Sequence, residues 1–181
     1  MIIVDVADEA EITRRIAEVL IDGFRMTGTE PWETLESAID EVRRSLAEDR
    51  ISRQALGENG EVLGWIGGIE EYDGFVWELH PLVVRRDVQG RGIGRALVED
   101  FENQVRMRGG ITIRLGTDDE TNRTSIGGVD LYPNVLENLS KIKNLRGHPF
   151  EFYQKLGYAV AGVIPDANGF GKPDILMTKR V

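Results

Sequence analysis

Apolar residues recur along this chain at two spacings, and each switch between them marks an element. Residues 1–6 (MIIVDV) form a short apolar run that predicts a strand. Asp8 can cap a helix in which Ile12, Ile16, Val19 and Leu20 keep helical spacing up to Gly23. After the loop RMTGTEPW (25–32), Leu35, Ile39, Val42 and Leu46 stand one turn apart. They predict a second amphipathic helix of about four turns. Residues 51–57 and 61–70 then flank Asn59-Gly60. That dipeptide predicts a hairpin with a type I′ turn, in which both central residues have φ > 0. The turn Tyr72-Asp73-Gly74 leads into a third strand, 75–84 (FVWELHPLVV).

Pro81 lies inside that strand, and proline cannot donate to a ladder. Pairing must therefore break or bulge there, and the strand is expected to splay from its neighbour. A glycine-rich turn comes next, then a helix with Ile93, Leu97, Phe101 and Val105 on one face, closed by Gly109-Gly110. ITIRLGT (111–117) reads as a buried strand, which completes a parallel strand–helix–strand unit. Residues 131–145 and 149–156 read as helices, and 158–165 and 175–181 as the last strands. The pattern is an α/β fold with a mixed central sheet flanked by helices.

Length and composition narrow the picture. The chain has 181 residues, which fits one domain over 1–181. Acidic residues number 31 and basic residues 22, for a formal net charge of −9. A nucleic-acid binder needs a basic footprint, so none is expected as a partner. An acidic field instead concentrates small cations. There is no cysteine, which removes disulfides, thiolate metal sites and thiol nucleophiles. Only His80 and His148 are present, so no metal site is expected. The N-terminus lacks the basic and apolar regions of a signal peptide, and no apolar run is long enough for a membrane span. A cytoplasmic location is the expectation.

The turn Gln89-Gly90-Arg91-Gly92-Ile93-Gly94 opens a helix directly after a strand. N–H groups at a helix start point outward and carry the positive end of the dipole, and glycine admits an anion closely. Pyrophosphate is the natural guest, with Arg85, Arg86, Arg91 and Arg95 adding positive charge. A tight turn that binds nothing is the plain alternative. The spacing is neither a dinucleotide fingerprint nor a Walker A loop.

This turn resembles the acyl-CoA loop of the GNAT N-acetyltransferases, Gln/Arg-x-x-Gly-x-Gly/Ala. WELHPLVV (77–84), GGITIRLGTDD (109–119), NLRGHPFEFYQKLGY (144–158) and PDANGFGKPDILM (165–177) are together similar to the aminoglycoside 6′-N-acetyltransferases of the enterococcal chromosomal type. The resemblance runs from about Gly64 to the C-terminus and weakens over the first sixty residues.

The resemblance implies the GNAT fold, with the splayed strand at the acetyl-CoA site, and transfer of acetyl from acetyl-CoA to an amine. The amine must lose a proton, the thioester oxygen needs a donor, and the leaving thiolate benefits from an acid. Glu78 is the candidate base: it shares a strand face with His80, opposite Trp77, Leu79 and Pro81. His80 is the second candidate. A solvent-facing glutamate and a structural histidine are the plainer readings. The main chain of Leu82, Val83 and Val84 is expected to bind the acetyl oxygen and pantetheine, and residues 89–94 the pyrophosphate. By resemblance Tyr153 sits beside the CoA sulfur and protonates it, although Phe150, Tyr153 and Leu156 also make an apolar helical stripe. Asp118, Asp119 and Asp174 stand at strand ends and are the expected partners of a polycationic acceptor. Each is, alone, more often a turn or cap. Phe24 and Trp32 are candidate walls of the sugar site. The same chemistry on protein N-termini, lysines or polyamines stays open, as does a silent acyl-CoA-binding module. A homodimer is expected by resemblance.

Overall fold

The computed structural model describes residues 1–24 and 32–181, so of the loop expected over 25–32 only Trp32 is included. The elements run in the order β1 (Ile2–Asp5), α1 (Ala10–Phe24), α2 (Leu35–Arg44), β2 (Arg50–Leu56), β3 (Val62–Glu71), β4 (Val76–Val84), α3 (Ile93–Met107), β5 (Thr112–Asp118), α4 (Val135–Ser140), α5 (Phe150–Gln154), β6 (Ala159–Ile164) and β7 (Asp174–Arg180). They fall into two compact units, residues 1–113 with Val181, and residues 114–180.

In the first unit β1, β2, β3 and β4 are neighbours in that order, each antiparallel to the next. Ile16, Ala17, Val19 and Leu20 of α1 and Ala38 and Val42 of α2 join Val62, Trp65 and Val83 in one apolar core. Burying a side chain of this kind contributes about 1.5–3 kcal/mol. On α3, Phe101 fills the space above Gly68, where a Cβ would come within 2.2 Å of its ring.

Helix α1 ends at Phe24, near Gly23 as expected, with Gly23 in its last turn. Gly23 serves packing, since a Cβ there would stand 2.3 Å from Val83 Cγ2. Two sequence expectations change here. The second helix is shorter than four turns. It starts on a capping box, in which Thr34 Oγ1 accepts from Ser37 N–H and Ser37 Oγ from Thr34 N–H. It stops at Arg44, and Leu46 still packs on the same core from beyond the helix. The hairpin is not type I′, because only Gly60 of the Asn59-Gly60 pair takes positive φ (77°). Gly60 N–H bonds Gly57 O and Gly57 N–H bonds Glu61 O, a three-residue turn ending in left-handed glycine.

The second unit places β7 between β5 and β6, with β6 and β7 antiparallel. The helix expected over 131–145 shrinks to the six residues of α4. Its C-terminal part is drawn into pairing with 123–125: Ser125 N–H bonds Lys143 O, and Leu145 N–H bonds Arg123 O. The helix expected over 149–156 is likewise only α5. Gly157, at φ 90°, ends it, and Tyr158 N–H returns to Tyr153 O.

Candidate active site

Strand β4 carries the first group of candidate residues. Trp65 faces Val83 and Gly68 faces Leu79, so three steps along β3 match four along β4. The extra residue is a bulge at His80-Pro81, opposite Gly67, as the proline required. Gly67 has no room for a side chain, since a Cβ would stand 2.4 Å from His80 O. Below the bulge Trp77 and Leu79 are buried, Glu78 is half-buried and His80 is exposed, which is the expected alternation. Beyond it the burial alternation continues, with Val83 in the core of α1 and Leu82 half-buried opposite Ile66. Val83 can therefore offer a ligand only its main chain.

The His80 ring lies 6.1 Å from Trp32, which is itself edge-on to Phe24 at 5.1 Å. Trp32 belongs to the helical core and Phe24 packs against it. His80 and Trp32 also border an open depression of about 430 Å³, with Ser37, Asp40, Glu41 and Arg44 of α2 completing it. Asp40 and Glu41 had no signal in the sequence beyond an ordinary helix face.

The glycine turn lies in the same unit. Gly90 and Gly92 have φ of 76° and 87°, and a Cβ on either would meet no heavy atom within 4 Å. Gly92 is the N-cap of α3 and supplies no side-chain cap, while its carbonyl accepts from Ala96 N–H. The first-turn N–H groups thus face outward without a capping side chain, as phosphate binding needs. Gln89 fastens the turn by donating from Nε2 to Val84 O at 3.0 Å. Arg85 holds Asp87 at 2.6 Å, and this hydrogen bond lowers the Asp87 pKa. Ile93 is buried, so only its main chain is available. Asp22, Arg85, Arg86, Asp87 and Gln89 line an open depression of about 780 Å³. The residues present fit a bound pyrophosphate.

The second unit carries Tyr153, Asp118, Asp119 and Asp174. Tyr153 is buried, edge-on to Phe152 at 5.0 Å and Tyr158 at 5.7 Å. Burial pushes its phenol pKa well up, so it keeps its proton throughout the neutral range. Asp118 is exposed and accepts from Asn168 Nδ2. Asp174 is half-buried beside Gly116, where a Cβ would stand 2.6 Å from its Oδ2.

Asp119 corrects the sequence reading. It is 0% exposed, and its oxygens accept from Arg123 N–H, Thr124 N–H and Thr124 Oγ1 at 2.7–2.8 Å. Its carboxylate is committed to its own loop and cannot meet an acceptor. His148 is the residue that sequence reasoning passed over. It is buried, with Nε2 3.1 Å from Asp118 O and Nδ1 3.3 Å from Phe150 N. Burial lowers its pKa. Among the described residues no group of three or more His, Asp or Glu is arranged to hold a metal ion.

The acetyltransferase (GNAT) family profile matches residues 14–128. A crystal structure of an aminoglycoside 6′-N-acetyltransferase complexed with coenzyme A is 40% identical, with a TM-score of 0.90, over 99% of this chain and 97% of that one. The aminoglycoside 6′-N-acetyltransferase from Enterococcus faecium is also 40% identical, with a TM-score of 0.88 and the same coverage. An aminoglycoside 6′-acetyltransferase of type Ii is 35% identical, with a TM-score of 0.73, again over 99% and 97%. No curated protein matches the chain.

Proposed function

Since the chain belongs to the GNAT acetyltransferase family, we propose that it moves the acetyl group of acetyl-CoA to the 6′-amine of an aminoglycoside. The observation that carries this reading is the 40% identity to aminoglycoside 6′-N-acetyltransferases over 99% of the chain. That coverage also supports treating residues 1–181 as one acetyltransferase domain. A net charge of −9 suits a polycationic acceptor.

In this reading acetyl-CoA supplies an activated acyl carbon, whose C–S bond breaks as the C–N bond to the amine forms. The turn 89–94 holds the pyrophosphate through main-chain N–H groups, and Leu82, Val83 and Val84 hold the pantetheine arm through theirs. Leu82 N–H donates to the acetyl oxygen. Glu78, half-buried on β4, attracts the ammonium and takes its proton, directly or through water, with His80 as the alternative acceptor. Tyr153, a neutral phenol at neutral pH, gives its proton to the departing sulfur. Asp118 and Asp174 serve further ammonium groups of the acceptor.

Converting the 6′-ammonium to a neutral amide removes a cation from the drug, and antibiotic resistance is the proposed consequence. The enzyme is further proposed to act in the cytoplasm as a homodimer. Among the described residues no helix is long and apolar enough to cross a membrane. Tyr72, Phe75 and Ile111, exposed and joined where Ile111 N–H bonds Phe75 O, supply an apolar face for a second copy. Light scattering tests that state.

The direct test is an acceptor panel of kanamycin, tobramycin, spermidine and a basic peptide, read by CoA release. Turnover with the two aminoglycosides is expected. Turnover confined to spermidine or peptide would assign another acceptor to the same chemistry, and none at all would leave only CoA binding.

A further inference from the structure

We infer that His148 is a positioning residue for Tyr153: a buried, neutral imidazole that ties the start of α5 to the end of β5 and thereby fixes the phenol. The inference rests on Tyr153 being the proton donor to the leaving sulfur.

Hydrogen-bond polarity defines the imidazole completely. A carbonyl oxygen can only accept, so Nε2 carries the hydrogen and donates to Asp118 O at 3.1 Å. An amide N–H can only donate, so Nδ1 is bare and accepts from Phe150 N–H at 3.3 Å. One neutral tautomer satisfies both partners, and the ring is 2% exposed. Its backbone is clamped as well: His148 N–H donates to Asn144 Oδ1 at 2.7 Å, and Asn144 Nδ2 donates to His148 O at 2.9 Å.

Helix α5 has only five residues. A single turn of helix has almost no stability of its own, so its orientation depends on what fastens it. Phe150 opens α5 and is held by the imidazole, with the two rings 5.6 Å apart. Tyr153 stands one turn later, and its own N–H bonds Pro149 O at 3.4 Å, next to His148. The last residue of β5, Asp118, therefore fixes the helix that bears the phenol through one side chain. Proton transfer needs heavy atoms within about 3 Å, and displacements near 1 Å are costly.

The test is a double-mutant cycle in the full chain, read as steady-state kcat and KM with acetyl-CoA and tobramycin. Tyr153→Phe should lower kcat about 10²-fold. His148→Phe keeps the volume but loses both hydrogen bonds, and should lower kcat about tenfold with the acetyl-CoA KM within about twofold of native. His148→Gln, whose amide N–H can reach Asp118 O, should recover part of that loss, and it carries the comparison if the Phe variant fails to fold. In Tyr153→Phe, either His148 change should add little, because a residue acting through Tyr153 has nothing left to position. Multiplying losses, or native kcat in the folded His148 variants, would overturn the inference alone. Native kcat in Tyr153→Phe would overturn the Tyr153 assignment and the inference with it.

Discussion

Strand β4 and the segment from Asp118 to His148 fix their candidate groups by opposite means. In β4 a regular ladder does the work. Alternation leaves Glu78 half-buried and His80 exposed while Trp77 and Leu79 are buried, and a single bulge accommodates Pro81 before Leu82 and Val83. In 118–148 there is little regular ladder, only a short helix and one bridge between Thr124 and Asn144. Order comes instead from buried polar atoms: Asp119 gathers the N–H groups of Arg123 and Thr124, Asn144 clamps His148, and His148 joins Asp118 to Phe150. On β4 the candidate side chains are therefore set by the ladder, whereas the Asp119 carboxylate in the loop is occupied with holding the chain.

That contrast predicts which substitutions separate activity from stability. The largest effect belongs to Glu78→Gln, which keeps the shape and removes the proposed base. Its kcat/KM for the amine should fall about 10²–10⁴-fold, with CoA affinity and melting temperature close to native. A near-native rate across pH would transfer the role to His80.

Asp119→Ala should do the reverse. Leaving buried donors unsatisfied costs about 1–3 kcal/mol each, so a loss of about 3 kcal/mol is expected in denaturant melts. Unchanged stability would mean that the loop does not depend on its carboxylate.

Gly92→Val probes the turn between these extremes. Its φ of 87° disfavours a branched residue, and the side chain would project where the phosphate approaches. CoA affinity should fall at least about tenfold, or about 1.4 kcal/mol, by calorimetry, with the fold retained. Native affinity would remove the turn from the CoA site.

The smallest effect is a pH dependence of stability centred on His148. Burial lowers its pKa, the Asp118 and Asp119 charges pull upward, and Arg123 pulls it down. As pH falls through about 6.5 the unfolded chain takes up the proton first. The contribution of the neutral imidazole is thus intact above that pH and is lost on the way down to the lowered native value. Calorimetry from about pH 7.5 to 5 should show a steeper fall in melting temperature for the native chain than for His148→Gln, and equal slopes would contradict it.

The same contrast explains what could be read from the sequence. The apolar rhythm located the seven strands among the described residues within a residue or two, and the Pro81 bulge came from a missing N–H. The glycine turn was legible because positive φ and close approach both demand glycine. Helix 131–145 was misread because an apolar spacing cannot reveal that 143–146 will pair with 123–125. Asp119 was misassigned for a related reason: a carboxylate at a strand end looks the same whether it meets a ligand or its own loop. His148 gave no signal, since its role lies in which atoms its two nitrogens face.

The central claim is the position of acetylation. Tobramycin turned over with acetyl-CoA should gain one acetyl group by mass spectrometry, located on the 6′-nitrogen by NMR, and an analogue with a 6′-hydroxyl should yield no 6′-acetylated product. A single acetyl group on any other nitrogen, or transfer to peptides alone, would contradict the account.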